Sequence, residues 1–442
     1  MARREDLRSW IISIACVRLL HANWRRGSRR DLVALVDIDN LSEQRLRGYL
    51  DGIGDILGTP QRRANFARYA FGLIGDGDRK SMEPIVARAG ASVSHMDAAH
   101  QRMQEFITNS GWDDHAVRLA AARHALEPMT KTAVAWAWIV DDTGFLKQGK
   151  HSVGVQRQYT GSVGKVANCQ IGVSLSIATP QDHVAVDFEL YLPTCWANDP
   201  ARRAEARIPD DVVFKTKPQL ALEMLRRAVN AKLPRGTVLA DEGYGGSSEF
   251  REGCRKLGLD FAVSVASTTR VWTVDARGRR SGDPIEARRL AQGLAASSAF
   301  RKYTWREGTA ASLHARFAFV RVVPAADDGR EPRRRDRLWL VCEWRDGDEA
   351  PCHFHLATYK RMPFVQLVQL IKERWRTERV YQDMKGELGL DHFEGRRFRG
   401  WHHHVSVAIA CYAFLVAERA RRFPPCAASL WKEAADAVRV AA

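Results

Sequence analysis

"AVAWAWIVDDTG" (133–144) is where the chain changes its period. Before it, apolar residues recur at three-and-four spacing in "LRSWIISIACVRLL", "RRANFARYAFGLI" and "DDHAVRLAAARHAL", with breaks at "GSRR", "GTPQ" and "GDGDRKS". That spacing marks amphipathic helices punctuated by turns. From 133 the pattern becomes a short, apolar, aromatic-rich run that stops abruptly at two carboxylates, as a buried strand does at its end.

Two more strands follow, "NCQIGVSLSIAT" (168–179) and "DHVAVDFELYLP" (182–193), joined by a tight turn at "PQ". A helix at "KPQLALEMLRRAVNAKL" (217–233) leads to "GTVLADEGYGG" (236–246), a strand ending in Asp241 whose glycines turn it into another helix. "DFAVSVA" (260–266) is the fifth strand. Three strands in succession, then strands alternating with helices, indicate an α/β fold with a mixed sheet of the ribonuclease H kind. The expected organisation is a helical domain at 1–130 and the first part of the core at 131–266. A β-rich insertion follows at 267–362, with "HARFAFVRVV" and "RLWLVCEW" as strands between basic turns. Residues 363–442 complete the core and add C-terminal helices, among them "VSVAIACYAFLVAERARR".

Composition narrows the function classes. The 442 residues give room for two or three domains. No apolar run approaches a membrane span, and "MARREDLRSW" has no secretion signal, so a cytoplasmic protein without membrane partners is expected. Eight cysteines without a CxxC pair point to free thiols rather than a zinc knuckle or a disulfide framework. "CHFH" (352–355) reads as strand alternation, and "WHHH" (401–404) as a polar helix start. Sixty-eight Lys and Arg against 52 acids leave a net charge of +16, which attracts a polyanion.

The stretch "ERWRTERVYQDMK" (373–385) carries an acid in an odd place. Phe364, Leu367, Val368, Ile371 and Trp375 mark one buried helix face, and that stripe continues to Glu378 and then Lys385. Glu373 lies about 140° from Glu378 at roughly 100° per residue, on the face expected in solvent. In the plain reading Glu378 pairs with Arg374 one turn back. In the sharper one it joins the strand-end acids, Asp141 or Asp142 and Asp241, around divalent cations. Converging carboxylates repel one another and lose hydration, and a cation offsets both effects. Oxygen ligands suit Mg²⁺ or Mn²⁺, and two such ions serve phosphoryl transfer.

The spacing R-x3-E-x6-K, met by Arg374, Glu378 and Lys385, resembles the signature around the third acid of insertion-sequence DDE transposases. The Tyr that usually opens it is Ile371 here, a departure that touches only that residue's role. "VLADEGYG" is similar to the second-acid motif. "IVDDTGFLKQGKHSVGVQRQYTGSVGKVANCQ" is similar to the first-acid region of one branch, and "FGLIGDGDRKSMEPIVAR" and "FITNSGWDDHAVR" to its helical domain. The resemblance spans nearly the whole chain. It implies a ribonuclease H-like core, interrupted by an insertion, that binds the terminal inverted repeats of a mobile element. It also implies two Mg²⁺ or Mn²⁺ ions on Asp141, Asp241 and Glu378, and a homodimer on double-stranded DNA, the element ends and target. DNA contacts are then expected at Arg374, Lys385, Arg334, Arg335 and Trp339.

Asp141 and Asp142 alternate along a strand, so only one faces the metals. The D-x-T form of the family's first acid favours Asp141 with Thr143, and Asp142 is the alternative. Two further functional readings stand beside the transposase: a nuclease on the same fold that hydrolyses DNA without strand transfer, and a non-catalytic DNA-binding repressor.

Overall fold

A computed structural model describes residues 39–422, apart from 76, 89–95, 132, 276, 278, 308–311, 326–336 and 359–361. The helix expected at "LRSWIISIACVRLL" and the residues Arg334 and Arg335 lie outside the described residues.

Five helices come first: α1 (Asp39–Leu57), α2 (Pro60–Ile74), α3 (Met82–Arg88), α4 (Met96–Thr108) and α5 (Asp114–Met129). Side-chain caps fix their starts, with Thr59 accepting from the Arg62 amide ahead of Pro60, and Asp113 accepting from the Ala116 amide. Strands β1 (Ala137–Leu146), β2 (Gln156–Thr160), β3 (Lys165–Ala178) and β4 (His183–Tyr191) follow. Short helices α6 (Thr194–Ala197) and α7 (Pro200–Ala206) lead to α8 (Lys217–Asn230), opened by a capping box between Thr216 and Gln219. Next come β5 (Thr237–Ala240), α9 (Glu242–Gly245), α10 (Ser248–Lys256) and β6 (Phe261–Val265). After them stand β7 (Arg270–Val274), β8 (Arg280–Glu286), α11 (Ala287–Ala296), β9 (Arg301–Glu307), β10 (Ser312–Pro324), β11 (Leu338–Trp344) and β12 (His353–Ala357). The chain closes with α12 (Phe364–Ile371), a 3₁₀ turn (Lys372–Arg374), α13 (Trp375–Leu388) and α14 (Phe398–Arg422).

These elements form two compact units, each drawn from separated segments. The first comprises Met1–Ala135, Asp142–Lys215 and Glu378–Ala442; the second comprises Trp136–Asp141 and Thr216–Thr377.

In the first unit α14 is buried along most of its length and packs on α5 and β4. Tyr49 Oη donates to the Ala410 carbonyl at 2.8 Å, so α1 shares this core. Strand β3 pairs antiparallel with β2 through its first residues and with β4 through the rest. The "WHHH" start of α14 is buried, not polar surface as expected. His403 stacks on Trp112 at 3.6 Å between ring centroids and reaches the Ile107 carbonyl, while His404 Nδ1 meets the Tyr69 hydroxyl at 2.9 Å. Partners supplied by distant helices make burial of these polar rings tolerable.

In the second unit β1, β5 and β6 are parallel, as a strand–helix–strand succession requires. Beyond β6 the order is β12, β11, β10, β7, β8, with β9 also on β10. Strand β12 pairs antiparallel with β6, so the segment expected as an insertion extends the sheet and makes it mixed. Of "CHFH", His353–His355 open β12 as the strand expected, but the strand is buried on both faces instead of alternating.

Three local features differ from expectation. Strand β1 runs on through Asp141 and Asp142 to Leu146 instead of ending at "DDTG". Gly144 does not break it, because that glycine lets the strand approach Thr160 closely: a Cβ there would lie 2.1 Å from Thr160 Oγ1. Strand β2, of sequence "QRQYT", and helix α11 were not anticipated. Among the described residues all six cysteines are free, and no helix is long and apolar enough to cross a membrane.

Candidate active site

Strands β1 and β5 set two acids at one level. Their parallel register pairs Ala137 with Thr237, Trp138 with Val238 and Ile139 with Leu239. Two residues beyond the last pair, on each strand, stand Asp141 and Asp241. Alternation gives Asp141 the face of Ile139 and Asp241 the face of Leu239, while Asp142 takes the other face. Asp241 thus follows the carboxyl end of β5, where open α/β sheets hold their sites, and Asp141 stands at the same level within the longer β1.

Each carboxylate is held. Asp141 is 7 % exposed, and its Oδ2 accepts from Arg374 Nη1 at 2.8 Å. A buried carboxylate without such a cation would cost several kcal/mol. Asp241 caps α9, with Oδ1 accepting from the Gly243 amide at 2.9 Å. The turn after it depends on Gly245, where a Cβ would lie 2.0 Å from the Ser264 carbonyl oxygen. Gly245 of "DEGYGG" is therefore a packing requirement of the turn that follows the acid.

Arg374 is itself positioned by charge. The preceding Lys372 contacts Glu343 of β11, a carboxylate only 1 % exposed, and its ammonium lies 4.5 Å from the Trp305 ring. Burial works against ionised Glu343, but the nearby His355, 4.0 Å away, and the hydrogen bond and charge of Lys372 hold its pKa well below the usual range. The far strands of the unit thus anchor the turn that aims Arg374.

The helical stripe expected through Trp375 and Glu378 does not persist. Trp375 and Glu378 are exposed, whereas Glu373 is half-buried beside Arg376, with its pKa raised by burial. Two causes combine. The 3₁₀ turn advances about 120° per residue instead of 100°, shifting the phase by about 60° over three residues. Beyond it α13 buries a different face through Val380, Tyr381, Met384 and Leu388. Tyr381 meets Ser174 at 2.6 Å and the Phe188 ring at 6.1 Å.

Lys385, expected at DNA, is half-buried and donates to Thr143 Oγ1 at 2.8 Å and to the Gly144 carbonyl at 2.7 Å. Burial pulls its pKa down. Trp339 is half-buried between Phe364, edge-on at 5.1 Å, and the Arg321 guanidinium at 5.3 Å. The structure thus pairs Asp141 with Arg374 in one unit, with Asp241 after the neighbouring strand, and Lys385 with Thr143 in the other. Sequence reasoning missed Lys372 and Glu343; a lone acid in the apolar strand "LWLVCEW" was the available signal.

Two groups of three potential ligands lie close together among the described residues, Asp348, Cys352 and His353, and His115, Asp187 and Glu189, and neither includes the predicted acids. In the second group the charge is met by Arg118, 1 % exposed, whose guanidinium pairs with Asp187 at 3.0 Å and Glu189 at 3.4 Å.

The chain is similar in sequence to known proteins. A profile of the family described as DDE superfamily endonuclease matches residues 53–312, more than half of the chain, taking in Asp141, Asp142 and Asp241 and stopping before Glu378. A probable transposase for insertion sequence element IS701 from Microchaete diplosiphon is 26 % identical over 197 residues, 44 % of this chain and 47 % of that protein. The chain spans about half the length of that relative.

Proposed function

Since the chain belongs to the DDE superfamily endonucleases, we propose that it is an insertion-sequence transposase that binds terminal inverted repeats and performs metal-dependent cleavage and strand transfer. The observation that carries the reading is Asp141 and Asp241 at one level and on one face of adjacent parallel strands. The catalytic acids in this reading are Asp141, Asp241 and Glu378. Glu378, an exposed residue, enters on its signature spacing with Arg374 and Lys385.

The donor set fits a hard divalent cation. Asp141 and Asp241 offer carboxylate oxygens, and Asp141 already holds a cationic group, the Arg374 guanidinium. Mg²⁺ or Mn²⁺ bound there would supply activation of water or of a 3′-hydroxyl and stabilisation of the leaving oxygen. The protein contributes fixed geometry. The Gly243 amide orients Asp241, Arg374 orients Asp141, and Lys385 ties down β1 at Thr143 and Gly144. Carboxylates held before substrate arrives lose little freedom on reaching the reactive arrangement.

Double-stranded DNA, as element ends and target, is the substrate in this reading, a homodimer is the active form on it, and the cytoplasm is the site of action. The net charge of +16 supports a polyanionic substrate. Arg334, Arg335 and Trp339 are the proposed contacts from the β-rich segment. Arg374 and Lys385 serve β1 first and would reach DNA only by exchanging those bonds.

The test uses labelled duplexes carrying the inverted repeats that flank the reading frame. The expected result is Mg²⁺- or Mn²⁺-dependent cutting at the repeat ends and joining of a pre-cut end to a target. Cutting without joining would make the protein a nuclease. Binding without cutting in either metal would make it a repressor.

A further inference from the structure

Between Asp142 and Asp182 the chain has no acid, yet it carries Lys147, Lys150, Arg157 and Lys165. This stretch contains the β2–β3 hairpin, whose tip at 161–164 includes Gly164 with φ 65°. At the exposed end of the hairpin Tyr159 (64 % exposed) faces Val166 (52 % exposed) directly across the two strands. Arg157 is exposed two residues from Tyr159, hence on the same strand face, and Lys165 and Val163 are exposed at the tip. An aromatic ring and an aliphatic partner, flanked by bases and left in solvent, need an occupant.

The tip of the hairpin is fastened to β1, the strand that carries Asp141. Ser162 Oγ donates to the Gly144 carbonyl and accepts from the Gly144 amide, both at 3.2 Å, and it meets Thr160 Oγ1 at 2.7 Å. Lys385 donates to that same carbonyl. The exposed pair is therefore carried by an element bonded to β1 three residues after Asp141. A second copy of the chain is a poor occupant, since a two-fold contact through the hairpin would gather two copies each of Arg157 and Lys165 in one interface. A polyanion matches the charge.

We propose that the β2–β3 hairpin is a DNA-contacting arm in which Arg157 and Lys165 bind phosphates and Tyr159, backed by Val166, stacks on an unpaired base at the processed end. The proposal rests on DNA being the substrate. A flat π-face accepts any base that has left its stack, and a base beside a broken phosphodiester has lost one neighbour.

The experiment measures binding of the full chain to a labelled repeat-end duplex, either blunt or with a short unpaired end, from about 50 to 200 mM salt. Tyr159→Ala should weaken binding to the unpaired-end duplex at least about fivefold with an unchanged salt slope, and weaken binding to the blunt duplex less. The double variant Arg157→Gln, Lys165→Gln should weaken binding to both and lower the salt slope by about two. All these side chains are exposed, so melting temperatures should match the wild type. Variants that melt normally and bind like the wild type with the same slope overturn the arm alone. A Tyr159→Ala protein whose only change is its sedimentation as an oligomer overturns it in favour of a second copy. A wild-type chain that binds no DNA overturns both the arm and the transposase reading.

Discussion

Arg374 Nη1 donates to Asp141 Oδ2 across 2.8 Å, and the two partners differ in burial: the Arg374 side chain is 33 % exposed and that of Asp141 11 %. The carboxylate needs a counter-charge, and the guanidinium that supplies it has room to leave. Arg374→Gln should therefore destabilise the cation-free protein by about 1–3 kcal/mol, seen as a drop of a few degrees in Tm. Added Mg²⁺ should raise the Tm of the variant more than that of the wild type, because the cation replaces the lost charge and stabilises only the folded chain. Equal Mg²⁺ shifts in both proteins would separate Asp141 from the cation site.

A second expectation concerns acid. Burial holds His403 and His404 at about 4, against an ordinary value of 6.5, despite opposing hydrogen bonds from backbone carbonyls. Both folded-state values are lowered, so folding keeps the rings neutral, while the unfolded chain takes up protons near pH 6.5. Stability is complete above that pH and is lost as pH falls from 6.5 towards 4. The shift corresponds to roughly 3 kcal/mol per ring. Tm should fall steeply between pH 6.5 and 4.5, and His403→Phe, which keeps a ring against Trp112, should flatten the fall. A flat Tm over that window in the wild type would show that these rings are not held neutral.

The strands that carry Asp141 and Asp241 were legible in the sequence because a short apolar run broken by a carboxylate is a local pattern. "AWIVDD" and "VLADEG" needed nothing from elsewhere in the chain to be read as strands leading into acids. Strand β2 was not legible, because "QRQYT" has no apolar alternation; its place comes from β3 and from the gap that Gly144 leaves for Thr160. The facing of α13 was misread because periodicity assumes an unbroken α-helix, and the 3₁₀ turn at Lys372–Arg374 interrupts it. The buried histidines were misread for another reason. A polar run looks like surface unless its partners, here Tyr69, Ile107 and Trp112, are known to lie beside it.

The last prediction concerns the acids themselves. If Asp141, Asp241 and Glu378 hold the cations, Asp141→Asn, Asp241→Asn and Glu378→Gln each remove a charge the cations need while keeping size and hydrogen bonding. Cleavage should fall at least about 10³-fold in each, and DNA binding should stay near wild type. Glu378 is exposed, so its variant should also keep its Tm. Asp142 takes the opposite strand face, and Asp142→Asn should retain cleavage, which distinguishes it from Asp141 by function. The control must be chosen with care. Glu373→Gln is not neutral, because Glu373 is half-buried against Arg376. Glu242 is exposed and adjacent to Asp241, so Glu242→Gln is the sounder comparison and should cut normally. If Glu378 merely paired with Arg374 at the surface, its loss would cost only about 0.3–0.5 kcal/mol and cutting would continue. A Glu378→Gln protein cutting at the wild-type rate in Mg²⁺ would remove Glu378 from the site, and an Asp142→Asn protein that fails to cut would move the first acid to Asp142.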